Sequence, residues 1–129
     1  MQRMILLAIA LVVSTVVHAQ EPIRIGMINV TSGQFADAGI QLDNGVKTYM
    51  QKHGDMVAGR KIEIIRRDVG GVAPDVAKRL AQELIVRDKV DILTGFLLTP
   101  NTLAAADVSA EAKKFMVVMN AGTSIITTR

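Results

Sequence analysis

Four neutral hydroxyls, Ser32, Thr99, Thr123 and Ser124, stand where apolar runs of this 129-residue chain break off, in company with Gly33 and Gly122. A hydroxyl beside a turn can give or accept a hydrogen bond without carrying charge. That suits the holding of a small polar solute better than the making or breaking of bonds. Thr99 is the best placed of the four. It precedes Pro100, and Thr followed by Pro is a helix-start signal, with Thr as N-cap and Pro at the first helical position. The start of a helix offers unpaired N–H groups and the positive end of the dipole, both of which favour a carboxylate or phosphate. The same placement also serves simply to cap the helix, and the two roles are compatible.

Catalytic constellations are missing. No G-x-G-x-x-G follows the first apolar run, no G-x-x-x-x-G-K-[ST] occurs, and there is no G-x-S-x-G elbow. The two histidines are His18, in the N-terminal apolar segment, and His53, at a helix end, so no His-based triad or metal cluster can be assembled. A phospho-accepting domain of similar layout needs acidic residues after its first and third strands, where this chain has Val30-Thr31 and Gly95-Phe96. Asp68 reads as structural. No enzymatic activity, cofactor or metal is expected.

Composition narrows the field further. One Tyr, three Phe and no Trp leave no platform for base stacking. Basic and acidic residues are interspersed, and the densest basic pair, Arg66-Arg67, lies in an expected strand, so no nucleic-acid or membrane-surface patch is expected. The N-terminus has the order of an export signal. Arg3 is followed by the uncharged run Met4 to Val17, and Val17-His18-Ala19 fits a cleavage site. Residues 1–19 are thus expected to be a signal peptide, removed before Gln20. The run is short for a transmembrane helix, which needs about 20 apolar residues. The remainder has fourteen basic and twelve acidic residues and carries no cysteine, which excludes disulfides, thiolate metal sites and a lipidated Cys. These features imply a periplasmic protein.

The elements that must position the hydroxyls alternate. Strand patterns run over Ile23–Val30, Lys61–Val69, Val90–Gly95 and Phe115–Met119. Helical patterns run over Ala36–His53, Asp75–Val86 and from Thr99-Pro100 to about Lys113. Gly45 falls inside the first helix at a cost of about 1 kcal/mol relative to Ala, which close packing of that helix on the sheet would explain. Continuous apolar strands linked by helices imply an α/β fold, an open doubly wound parallel sheet with helices on both faces. Ligands of such sheets bind outside the carboxyl ends of the strands, where the loops Thr31–Ala36, Phe96–Asn101 and Asn120–Ser124 lie.

Five segments in this order, RIGMINVTSGQFADAG, NGVKTYM, AGRKIEIIRRD, VDILTGFLLTPNTLAAA and FMVVMNAGTS, resemble the branched-chain amino acid (leucine-binding) type of periplasmic solute-binding protein of ABC transporters, of the type 1 fold. The resemblance covers nearly the whole chain after the signal. It implies a two-lobed protein that closes on a small solute and delivers it to permease subunits. Residues 20–129 would then be part of the first lobe. It further implies that Thr99, at the start of the third helix, and the loop holding Ala121 and Thr123 grip the solute. The Ala121 carbonyl would accept from an ammonium, and the Thr123 hydroxyl and N–H would donate to a carboxylate. Ser32 completes the expected ligand-binding set. The pattern departs from the family at Arg67-Asp68, where members often carry two acids, and at Pro100-Asn101, where hydroxyls are frequent. The solute class left by this reading is amino acids, amides or aromatic acids. Two other readings use a similar lobe: the ligand-sensing domain of a receptor, and an exported α/β enzyme with catalytic residues beyond Arg129.

Overall fold

The computed structural model describes residues 20–128, so the expected signal peptide lies outside the described residues. The elements follow the expected alternation, with one addition. They are β1 (Ile23–Asn29), α1 (Ala36–His53), β2 (Met56–Val57), β3 (Arg60–Asp68), α2 (Pro74–Val86), β4 (Ile92–Gly95), α3 (Thr99–Glu111) and β5 (Phe115–Val118), with a short 3-10 turn at Ser124–Ile126.

The five strands form one sheet in the order β2-β3-β1-β4-β5. β1 lies between β3 and β4 and pairs in parallel with both, Ile25 facing Ile64 on one side and Ile92 on the other. β5 extends the sheet in parallel beside β4. The added strand, β2, pairs antiparallel with the start of β3. It returns through Ala58 and Gly59, both in the left-handed region at φ 49 and 77, as a two-residue hairpin turn of the twist-compatible kind requires. Two residues are too few for alternation to appear in a sequence.

Helices cover both faces. Adjacent residues on a strand point to opposite sides. Arg66 donates to Asp43 of α1, whereas Arg67 donates to Asp88, just past α2. On β1, Asn29 reaches the Gly39 carbonyl of α1, while an added Cβ at Gly26 would meet Leu84 of α2. The main core lies on the α2–α3 side, where Ile28, Leu80, Leu84, Val90, Leu93, Phe96 and Val108 pack together. Met116 and Val118 turn toward this core from β5. Phe115 and Val117 alternate to the other face beyond the reach of α1, and Phe115 is 80% exposed.

Two expectations need correction. The helical glycine that permits close packing is Gly39, not Gly45. An added Cβ at Gly45 meets nothing within 4 Å, whereas at Gly39 it would fall 1.6 Å from the Val30 carbonyl oxygen. The third helix begins at Thr99 itself and ends at Glu111, with extended Leu98 in the capping position and no side-chain cap bond. Thr99 therefore is not the N-cap. Lys113 takes a left-handed conformation (φ 53), which halts the helix before the two lysines.

Candidate functional site

The strand order reverses direction between β1 and β4, and a crevice opens at such a switch point, outside the carboxyl ends of the strands. The loops after all four parallel strands meet there and are braced to one another. The Asp68 carboxylate, at the end of β3, accepts from the Thr31 amide at 2.8 Å and the Gly70 amide at 2.9 Å. This joins the loop after β1 to the loop after β3. Gly33, at φ +74, fits against this brace because an added Cβ would lie 2.6 Å from the Gly70 carbonyl oxygen. Asn101, in the first turn of α3, donates to the Gly71 carbonyl (2.7 Å) and accepts from the Ala73 amide (2.9 Å). Asn120 donates to the Leu97 carbonyl, and the Ala121 amide donates to the Phe96 carbonyl, so the loops after β4 and β5 are joined too.

The crevice floor between β1 and β4 is built from close backbone contact. Phe96 donates its amide to the Ile28 carbonyl at 2.8 Å. Gly95, at φ +101, brings its Cα so near that an added Cβ would sit 2.2 Å from the same oxygen. Phe96 is buried and itself left-handed (φ 66), a conformation that L residues with bulky side chains adopt only where the surroundings impose it. Its ring anchors the turn in the core while its backbone aims the chain into α3.

The expected ligand-binding residues are distributed as follows. Thr99 opens α3 half-buried at this edge. The N–H groups of Thr99 and Asn101 have no acceptor among the described residues, and Pro100 has none to offer. Asn101 is 2% exposed, so the Thr99 N–H is the donor left for an anion at the positive end of this thirteen-residue helix. Ala121 and Thr123 lie on the loop tied to Phe96 and Leu97, immediately before Thr99. The Ala121 carbonyl has no partner among the described residues. The Thr123 hydroxyl accepts from the Ile125 amide at 3.4 Å and caps the 3-10 turn, which leaves its own hydrogen free to be donated. The structure therefore brings Thr99, Ala121 and Thr123 onto two adjoining loops.

Ser32 lies on the other side of the crevice, on the loop braced by Asp68. Burial raises the Asp68 pKa, but hydrogen bonds from the Ser32 hydroxyl and from the Thr31 and Gly70 amides outweigh it and hold the carboxyl below its ordinary value of 3.8. A serine hydroxyl can both donate and accept.

A cavity of about 350 Å³ opens on the α1 side, lined by Met27, Asn29, Asp43, Arg66 and Asp68 among others, but by none of Thr99, Ala121 or Thr123. Its polar groups already serve one another. Asp43 accepts from Arg66 Nε at 2.6 Å and from Lys47 Nζ at 2.7 Å. Burial raises the Asp43 pKa, but these two bonds and their charges more than reverse that and leave it lowered. The Asn29 amide is satisfied at both ends by Gly39 and Val30. The open donors and acceptors sit at the crevice. Among the described residues no group of His, Cys, Asp or Glu is placed to hold a metal ion.

Sequence reading missed the bracing residues. Asp68 was legible as structural but not as the anchor of Ser32. Asn101 stood out only as an odd residue at a helix start, and nothing in its neighbours in sequence reveals the loop it holds. The Arg66-Arg67 pair, expected to form no basic patch, is taken up by Asp43 and Asp88.

Residues 22–128 match the family described as periplasmic binding protein. Over 107 residues the chain is 39% identical to Leu/Ile/Val-binding protein homolog 6 of Brucella abortus (strain 2308), covering 83% of this chain and 27% of that protein. A solute-binding protein of an ABC transporter from Rhodopseudomonas palustris BisB5, solved with 3,4-dihydroxybenzoic acid, is 51% identical with a TM-score of 0.79, covering 83% of this chain and 29% of that one. A counterpart from Rhodopseudomonas palustris HaA2, solved with p-hydroxybenzoic acid, is 44% identical with a TM-score of 0.79, covering 82% and 29%. The chain thus spans less than a third of the length of these relatives. With the family match running from before β1 to beyond β5, the chain belongs to the periplasmic binding protein family.

Proposed function

We propose that this chain contributes the first-lobe side of the solute site in a periplasmic substrate-binding protein of an ABC transporter, and that the solute is a hydroxylated aromatic carboxylate. Residues 1–19 act in this reading as the export signal, residues 20–129 form part of the first lobe, and permease subunits receive the solute. The protein binds and releases without chemical change.

One observation carries the reading: the loop of Ala121 and Thr123 is hydrogen-bonded to Phe96 and Leu97, which lead directly into the unpaired Thr99 N–H at the start of α3. A carboxylate set there gains charge-assisted hydrogen bonds from Thr99 and Thr123 without any buried countercharge. Ser32 and the Ala121 carbonyl would serve as acceptors for the other end of the solute. A ring hydroxyl satisfies an acceptor as an ammonium would, so a hydroxybenzoate fits both ends. The relatives solved with hydroxybenzoates, at 44% and 51% identity, favour the aromatic acid over leucine. The Brucella relative's name favours the opposite choice, and titration separates them.

The test is isothermal titration of the full-length protein, purified free of solute, with 4-hydroxybenzoate, 3,4-dihydroxybenzoate, benzoate and leucine. The expected result is a Kd of about 1 μM, equivalent to about 8 kcal/mol, for a hydroxybenzoate, with leucine at least tenfold weaker. Tight binding of leucine with no response to aromatic acids would retain the carboxylate site and replace the solute. Binding of none of the four would sink the reading.

A further inference from the structure

We infer that Asn101 is a positioning residue of the solute site, and that Val72, which it holds in place, is the apolar contact that selects among solutes. The inference rests on the solute-binding reading above.

The loop after β3 runs through Gly70 and Gly71, at φ +74 and +152, before α2 starts at Pro74. Two glycines in succession give a segment with little backbone preference of its own, so whatever shape it keeps must be imposed from outside. Asn101 imposes it. The residue is 2% exposed, and its amide bonds to the residues on either side of Val72, donating to the Gly71 carbonyl and accepting from the Ala73 amide. A primary amide offers one donor and one acceptor side by side, as a neighbouring strand would. Asp lacks the donor, Ser lacks the reach and Leu lacks both. The loop is thereby docked on the first turn of α3, two residues from Thr99.

Val72 is left at the apex, 58% exposed. Single exposed apolar residues are ordinary on protein surfaces. This one differs in that both of its neighbours are fixed by one buried side chain. It is a methyl-bearing surface on a loop tied to the first turn of α3, where the unpaired Thr99 N–H lies. A carboxylate seated at α3 projects the rest of its solute away from the helix end. Val72 offers the apolar body of that solute a wall whose position is set in advance, which lowers the ordering cost of binding. Asn101 also directs the first turn of α3, so one side chain sets both the anion donors and the apolar wall.

Three variants of the full-length protein test this, each measured for thermal midpoint and for Kd toward 4-hydroxybenzoate and leucine. Val72→Ser alters only an exposed side chain. It is expected to leave the midpoint unchanged and to shift the ratio of the two affinities by threefold or more. Asn101→Ala is expected to weaken the preferred solute at least tenfold and to move the same ratio. Ser109→Ala removes a buried hydrogen bond to the Lys114 carbonyl at the opposite end of α3. It is expected to lower the midpoint with both Kd values within twofold of the parent, which separates loss of stability from loss of positioning. If Val72→Ser leaves both affinities within twofold, or if Ser109→Ala weakens binding as much as Asn101→Ala does, the inference is overturned while the solute-binding reading stands. If the parent protein binds neither solute, both fall together.

Discussion

Helix α1 lies on β1 with no room for a methyl group at residue 39, and that contact can be tested by one atom. A Cβ at Gly39 would stand 1.6 Å from the Val30 carbonyl oxygen, where ordinary contact begins at 3.4 Å, so the backbones must part by about 1.8 Å. The retreat breaks the 2.7 Å bond from Asn29 Nδ2 to the Gly39 carbonyl. Asn29 is 2% exposed, so its orphaned N–H costs about 1–3 kcal/mol. The forced shift adds about 1–3 kcal/mol of strain, and the gain in helix propensity returns about 1 kcal/mol. Gly39→Ala should therefore destabilise by about 1–5 kcal/mol. Gly45→Ala provides the control in the same helix. Nothing lies within 4 Å of that Cβ, so propensity acts alone and stabilises by about 0.5–1 kcal/mol. Thermal unfolding followed by circular dichroism would separate them, since 1 kcal/mol moves Tm by about 4–8 °C in a domain of this size. A Gly39→Ala protein that melts at or above the parent, as Gly45→Ala is expected to, would refute the packing argument.

Thr99→Ala and Thr123→Ala each remove a donor to the bound carboxylate and should weaken solute binding by about 1.5–3 kcal/mol, roughly ten- to a hundredfold, in the same titration. Gly95→Ala should unfold the lobe or lower its Tm by more than Gly39→Ala does, because it meets both a 2.2 Å contact with Ile28 and a φ of +101, and the melting curves rank them directly. Asp43 and Asp68 titrate below 3.8 in the folded chain, so the unfolded chain binds protons more readily. Their stabilisation is complete above about pH 5 and is lost as pH falls through their folded pKa values below 3.8. Urea midpoints measured between pH 6 and about pH 2 should fall on acidification, and Asp43→Asn should make that fall shallower.

The alternation of strands and helices was legible because each is written in an apolar pattern several residues long. The strands of IRIGMIN and RKIEIIRRD alternate or run apolar between glycines, and α2 carries a regular stripe through Ala77, Leu80, Ala81 and Leu84. What escaped was decided by contacts distant in sequence. Gly39 and Gly45 lie in the same helix, and only the approach of Val30 distinguishes them. The Thr-Pro signal placed the start of α3 to within one residue, but the extended conformation of Leu98 made Thr99 the first helical residue and freed its hydroxyl from capping. The site was half visible. Thr99, Ala121 and Thr123 stand on two loops joined through Phe96 and Leu97, whereas Ser32 lies on the loop that Asp68 braces, and the bonds of Asn101 run to a loop 28 residues earlier in the chain.

The two arginines of β3 bear on how faithfully the sheet assembles. Each is matched to its own face, Arg66 to Asp43 and Arg67 to Asp88, with Ile64 and Ile65 behind them sharing the same division. A slip of one residue between β3 and β1 would exchange the faces of every side chain on the strand. One guanidinium group would then take its neighbour's place and carboxylate, while the other would be left without one. The side chain left unpaired is one that is a third or more exposed in the aligned strand, so losing its partner costs only about 1 kcal/mol. The paired charges thus add a modest preference for the aligned register of β3 to the one that the division of Ile64 and Ile65 between the two faces already imposes.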